Sequence, residues 1–91
     1  MYVHLGGDLV VAMKDVVAIL DVRLLQTSEL TREFVDRAMG TGRLLGDGLT
    51  PDCKALVVTA AAIFTSGISP STLARRMTHF RQSAIEWGAE T

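Results

Sequence analysis

The chain has 91 residues and a formal net charge of −1, a size that points to one domain over 1–91. Hydrophobic residues make up 48% of it, yet no apolar run reaches the ~18–20 residues that a membrane span needs. Near-neutral charge argues neither for nor against nucleic acid as a partner.

In chain order, "YVHL-GG-DLVVAM" reads as a β-hairpin, because Gly6-Gly7 accepts the positive φ angles of a two-residue turn. That register sets Val3 opposite Val10 and Tyr2 opposite Val11. The β-branched run "DVVAILDV" at 15–22 predicts a third strand after a bend at Lys14-Asp15. The period then changes: Leu30, Phe34, Val35, Ala38 and Met39 mark one face of a helix, capped by Thr27 or Ser28 and ended by Gly40 and Gly42. "RLL" at 43–45 is a short strand, and "GDGLTPD" at 46–52 is a loop. The run "KALVVTAAAIFTS" predicts a central strand over 54–59 and another over 61–65, reversing near Ala60. Ser69 and Pro70 suit the N-cap and first turn of a last helix running to about Trp87 or Gly88. On it, Leu73, Met77, Phe80, Ala84 and Trp87 are spaced 4-3-4-3 and form one apolar seam. The order β-β-β-α-β-β-β-α predicts a small α+β single domain with a largely antiparallel sheet, in which 78–91 is a helical C-terminal extension.

A domain this small buries only ~60–65% of its unfolded surface. With so many apolar residues, surplus apolar surface is left over, and such surface marks an interface. A homo-oligomer is therefore expected, with Leu73, Met77, Phe80 and Trp87 as its interface residues. The start "MYVHLGG" lacks the basic and apolar regions of a signal peptide, and the single Cys53 cannot form an internal disulfide. A cytoplasmic protein is the simplest reading.

Nothing resembles a complete active site, so a non-enzyme is the expected class. Cys53 has no histidine beside it in sequence and reads as a small buried filler. His4 reads as half-buried and hydrogen-bonded, and His79 as solvated. With Cys53 they lack a metal-binding spacing, so neither metal nor cofactor is expected. Asp8, Asp15 and Asp21 mark strand ends; converging as acid–base carboxylates, they would be the alternative.

Charge is segregated along the chain. Residues 1–52 carry eight acids and five bases, whereas 53–85 carry Lys54, Arg75, Arg76 and Arg81 and no acid. Such segregation can make a local positive field on a neutral protein. Arg75 and His79 share a helix face with Gln82, and Arg76 flanks the seam, a pattern open to phosphate contacts or to a solvated face.

"MYVHLG" at the start, "DVVAILD" at 15–21, "KALVVT" at 54–59 and "SPSTLARR" at 69–76 follow one another over roughly residues 1–77. Together they resemble the RemA/RemB family of extracellular matrix regulatory proteins. The resemblance implies a cytoplasmic, non-catalytic bacterial regulator of matrix (biofilm) genes, with no small-molecule ligand. It also implies closed rings of small α+β subunits and double-stranded DNA as partner, where repetition around a ring would strengthen weak phosphate contacts. In RemA-like sequences, basic residues important for DNA lie at the start of the third strand and in the loop before the central strand. Here those places hold Asp15, with Lys14 beside it, and Pro51-Asp52, with Lys54 following. An acid repels a phosphate, and lysine lacks the bidentate fork of arginine. The expected nucleic-acid-binding residues are thus Lys14, Lys54, Arg75 and Arg76. An oligomeric interaction module that does not bind nucleic acid is the other reading.

Overall fold

In the computed structural model, which describes residues 1–77, Gly6 and Gly7 take φ values of +118° and +54°. They reverse the chain between β1 (Tyr2–Gly6) and β2 (Leu9–Ala12). The hairpin is the expected one, but its register differs by one residue: Tyr2 faces Ala12 and Val3 faces Val11. The cause is that Gly6 stays in the strand opposite Leu9. Gly7 and Asp8 make the turn, and an irregularity between His4 and Gly6 absorbs the extra residue. Val3, Leu5 and Val11 consequently point inward, while Tyr2 and Val10 are exposed.

A single 3-10 turn over Met13–Asp15 leads into β3 (Val16–Asp21). One turn of helix, α1 (Leu24–Thr27), precedes α2 (Glu29–Gly40). Of the two candidate caps it is Ser28 that caps α2, its Oγ accepting from the Thr31 amide at 3.2 Å. Val35 and Ala38 are the buried side of α2; Leu30, Phe34 and Met39, expected on the same face, are exposed. Strands β4 (Leu44–Leu45), β5 (Ala55–Thr59) and β6 (Ile63–Ser66) follow. A last helix, α3, is helical over 70–77, with the Ser69 Oγ accepting from the Thr72 amide at 3.3 Å. The expected continuation of α3 through 78–91 lies outside the described residues.

The strands form two sheets, the β1-β2 hairpin and a four-stranded sheet in the order β3-β5-β6-β4. Only the β4-β6 pair is parallel among the described strands. β5 is central, and its residues Ala55, Leu56, Val57 and Val58 are all buried because both faces are covered. On one face, Ala55 and Val57 join Val3, Leu5 and Val11 of the hairpin and Leu73 and Met77 of α3. On the other, Leu56 and Val58 join Val35, Ala38, Cys53 and Ile63. A bulge between Val16 and Ala18 lets Val16 join the hairpin-side core while Ala18 and Leu20 pack with α2. The residue it squeezes out, Val17, is 70% exposed.

Side-chain hydroxyls tie the layers together. Ser66 Oγ donates to the Leu5 carbonyl at 2.6 Å and accepts from the Ile68 amide at 3.1 Å, pinning the hairpin to the sheet. Thr65 Oγ1 donates to the Leu45 carbonyl and accepts from the Gly48 amide, holding the 46–52 loop. Gly46 is required there: its φ is +104°, and an added Cβ would lie 2.5 Å from Thr65 Oγ1.

Candidate nucleic-acid and subunit interfaces

The antiparallel pairing of β3 with β5 decides where the expected cationic residues stand. Val16 faces Thr59, and Asp21 faces Ala55. Lys14, which precedes β3, is therefore at the Thr59 end of the sheet, and Lys54, which precedes β5, is at the Ala55 end. At ~3.3 Å per strand residue they are roughly 20 Å apart. Both are exposed, as are Asp15 and Asp52 beside them. Arg75 and Arg76 are exposed on α3, where Arg75 Nη2 donates to Thr72 Oγ1 at 3.4 Å. One chain thus does not gather Lys14 and Lys54 into a single patch.

The apolar seam of α3 is used inside its own chain at its first two positions. Leu73 is wholly buried and Met77 is 5% exposed, both in the hairpin-side core, so little of either is left for a second subunit. Phe80 and Trp87, the other expected interface residues, and His79, Arg81 and Gln82 lie outside the described residues.

The other candidate side chains stay apart. Asp15 is at the Thr59 end, and Asp21 is at the Ala55 end. Asp21 makes an ion pair with Arg23 at 2.6 Å. Hydrogen bonds from Arg23 hold its carboxyl below the usual range, and the same contact raises the Arg23 guanidinium. His4 is exposed rather than half-buried, its Nε2 donating to the Gly7 carbonyl at 2.6 Å; it lies between the buried Val3 and Leu5 on the outer face of β1. Cys53 is buried beside Ala55, to whose carbonyl Sγ donates at 3.5 Å, and burial pushes its thiol up. Among the described residues no group of three or more His, Cys, Asp or Glu could hold a metal ion. No described helix is long and apolar enough to cross a membrane.

The hollows at the two ends of the sheet differ in charge. At the Thr59 end the β5-β6 turn, Ala60 to Ala62, separates two hollows. One, of about 310 Å³, lies against α2 and has Arg37 and Arg43 with Phe34 in its wall. The other, of about 720 Å³, lies under the hairpin and has Lys14, Asp15, Tyr2, Val10 and Val17 in its wall. Asp15 is the one carboxylate lining either. At the Ala55 end a hollow of about 290 Å³ between the hairpin turn and the 46–52 loop is lined by Asp8, Asp47 and Asp52, with no basic side chain.

Arg37 and Arg43 escape sequence reasoning because no spacing links them to the β5-β6 turn. A helix cap and a strand pairing bring them there. Thr41 Oγ1 donates to the Arg37 and Ala38 carbonyls, and Gly42 turns at φ +71°. The Arg43 amide then reaches back to Ala38, and its carbonyl accepts from Ile63 at the start of β6. "TG" after a helix and before a strand was the available signal.

Residues 2–77 match the family model described as RemA-like, extracellular matrix regulatory protein A-like. The chain is 38% identical over 76 residues to the extracellular matrix regulatory protein B of Bacillus subtilis (strain 168), covering 84% of this chain and 89% of that one. The span coincides with the hairpin, the four-stranded sheet and the start of α3, and by it this chain belongs to the RemA-like family of extracellular matrix regulatory proteins.

Proposed function

We propose that this protein is a cytoplasmic, non-catalytic regulator of extracellular matrix (biofilm) genes that works as a homo-oligomeric ring and contacts double-stranded DNA. The observation that carries the reading is the family match across 2–77 together with the relative whose name is matrix regulatory. Exposure of Lys14, Lys54, Arg75 and Arg76 supports it, as does the apolar surface left uncovered at Tyr2, Val10, Val17, Leu30 and Phe34. A ring would repeat every cation, so contacts too weak singly would act together.

The test is fluorescence anisotropy of labelled double-stranded DNA titrated with the full chain between 50 and 200 mM salt. Neutralising Z phosphates gives a log–log slope of about −0.9Z, so several contacts mean a steep loss of affinity. Absence of a complex at micromolar protein and low salt overturns DNA binding. Asp15 and Asp52 favour the second reading, an oligomeric interaction module without nucleic acid. That reading predicts a large mass by light scattering and no DNA complex at any salt.

A further inference from the structure

We infer that the hollow between α2 and the β5-β6 turn binds a small phosphate monoester with a planar ring, of the nucleoside monophosphate class. The inference goes beyond the regulatory reading and depends neither on DNA binding nor on assembly.

Phe34, Arg37, Ala38 and Thr41 are spaced i, i+3, i+4 and i+7, so α2 presents them on one face. The turn Ala60 to Ala62 supplies the other wall. At about 310 Å³ the hollow is at the small end of ligand sites, which combine apolar walls with a few convergent polar groups. No described carboxylate lines it. Its hydroxyls are already committed. Thr41 Oγ1 donates to the Arg37 and Ala38 carbonyls at 3.0 and 3.3 Å. Thr59 Oγ1 donates to the Ala62 carbonyl at 2.8 Å and accepts from the Ala62 amide at 3.0 Å. That leaves the guanidiniums of Arg37 and Arg43. Among the described residues the one ion pair is Arg23 with Asp21, so neither is neutralised.

Two guanidiniums on one hollow repel each other, and an anion between them offsets that repulsion. A phosphate monoester carries a charge of about −1.5 to −2 at pH 7 and matches both. A single carboxylate leaves one unmatched. The planar guanidinium also grips phosphate with two parallel bonds. The remaining walls are apolar, and Phe34 is 45% exposed. Nucleobases stack on such rings, and the short alanine side chains leave room for a flat body. A duplex keeps its bases paired inside and could bring only phosphates here, which would leave Phe34 and the alanines uncovered. The free nucleotide covers both parts of the hollow.

A cation in the last turn of α2 suits the helix dipole, which accounts for Arg37. It does not account for Arg43, which lies past the helix end. The Arg43 backbone is held from both sides, its amide donating to Ala38 at 2.7 Å and its carbonyl accepting from Ile63 at 2.9 Å. The frame of the site is thus fixed before a ligand arrives. The negative end of α2 opposes an anion little, because the Arg37, Ala38 and Met39 carbonyls already accept from the Thr41, Arg43 and Gly42 amides.

Calorimetric titration of the full chain with adenosine 5′-monophosphate, adenosine and inorganic phosphate tests this, with amide NMR to locate the contact. The monophosphate should bind and shift amides within 34–43 and 59–63. Adenosine and inorganic phosphate should each bind at least about tenfold more weakly. Arg37→Gln and Arg43→Gln should each weaken the monophosphate about tenfold or more, as expected for a lost charged hydrogen bond, and Phe34→Leu should weaken it severalfold. All three residues are exposed, and the same spectra check the fold of each variant. No binding at about 10 mM monophosphate, or binding that both arginine variants leave unchanged, overturns the inference. Inorganic phosphate binding as tightly as the monophosphate overturns the nucleotide assignment. So does a double-stranded oligonucleotide that displaces the monophosphate from the same amides, which would assign the arginines to DNA.

Discussion

Replacing Ser66 with alanine should detach the hairpin from the sheet at a measurable cost. Ser66 is 3% exposed, and its hydroxyl serves two backbone groups, the Leu5 carbonyl and the Ile68 amide. Leu5 lies in the bulge of β1, where it has no cross-strand partner in the register. Its carbonyl accepts from Ser66 Oγ. Leaving a buried polar group unpaired costs about 1–3 kcal/mol, so the loss of both bonds should cost about 2–6 kcal/mol. For a domain of this size each kcal/mol lowers Tm by roughly 4–8 °C, so a fall of at least about 8 °C is expected. Urea unfolding at fixed subunit concentration is the assay, since assembly itself adds apparent stability. Ser71→Ala, at an exposed position on α3, is the control and should stay within about 0.5 kcal/mol of wild type. A Ser66→Ala chain as stable as that control would refute the pin.

Gly46→Ala should destabilise by more than about 2 kcal/mol, because it combines a left-handed φ with a Cβ driven into Thr65; equilibrium unfolding reads this, and a neutral result would mean that the loop rearranges freely. Cys53 should react slowly with a thiol reagent in the native chain and fast in urea. Its folded pKa is raised by burial, so the native state holds its proton more tightly than the unfolded one. The stability tied to that proton is fully present below the ordinary thiol pKa and is lost as pH rises from there through the folded value. Cys53→Ala should flatten that alkaline decline; an unchanged decline would place its cause elsewhere.

Much of the fold was legible because each element carries its own local signal. The Ser28 and Ser69 caps, the glycine reversal and the β-branched runs of β3 and β5 all act within a few residues. Faces were less legible. Leu30 and Met39 are apolar and lie on opposite flanks of the buried stripe of α2, so hydropathy alone could not tell core from surplus. The hairpin register hinged on whether Gly6 belongs to strand or turn, a choice that one bulge reverses. The distance between Lys14 and Lys54 was readable in principle. Each precedes a strand, and neighbouring antiparallel strands begin at opposite ends. Arg37 and Arg43 were beyond reach because their neighbourhood is made by a cap and by the β5-β6 turn some 20 residues later.

The burial of β5 on both faces has a kinetic consequence. The hairpin and α3 reach the sheet on one side, and α2 reaches it on the other. Neither half can release the β5 backbone to solvent while the other remains in place. Its amide protons should exchange only when the whole chain opens, and they would give the free energy of that opening directly. The open β1-β2 hairpin would exchange sooner, so a single exchange profile would tell apart local departure of the hairpin from complete unfolding.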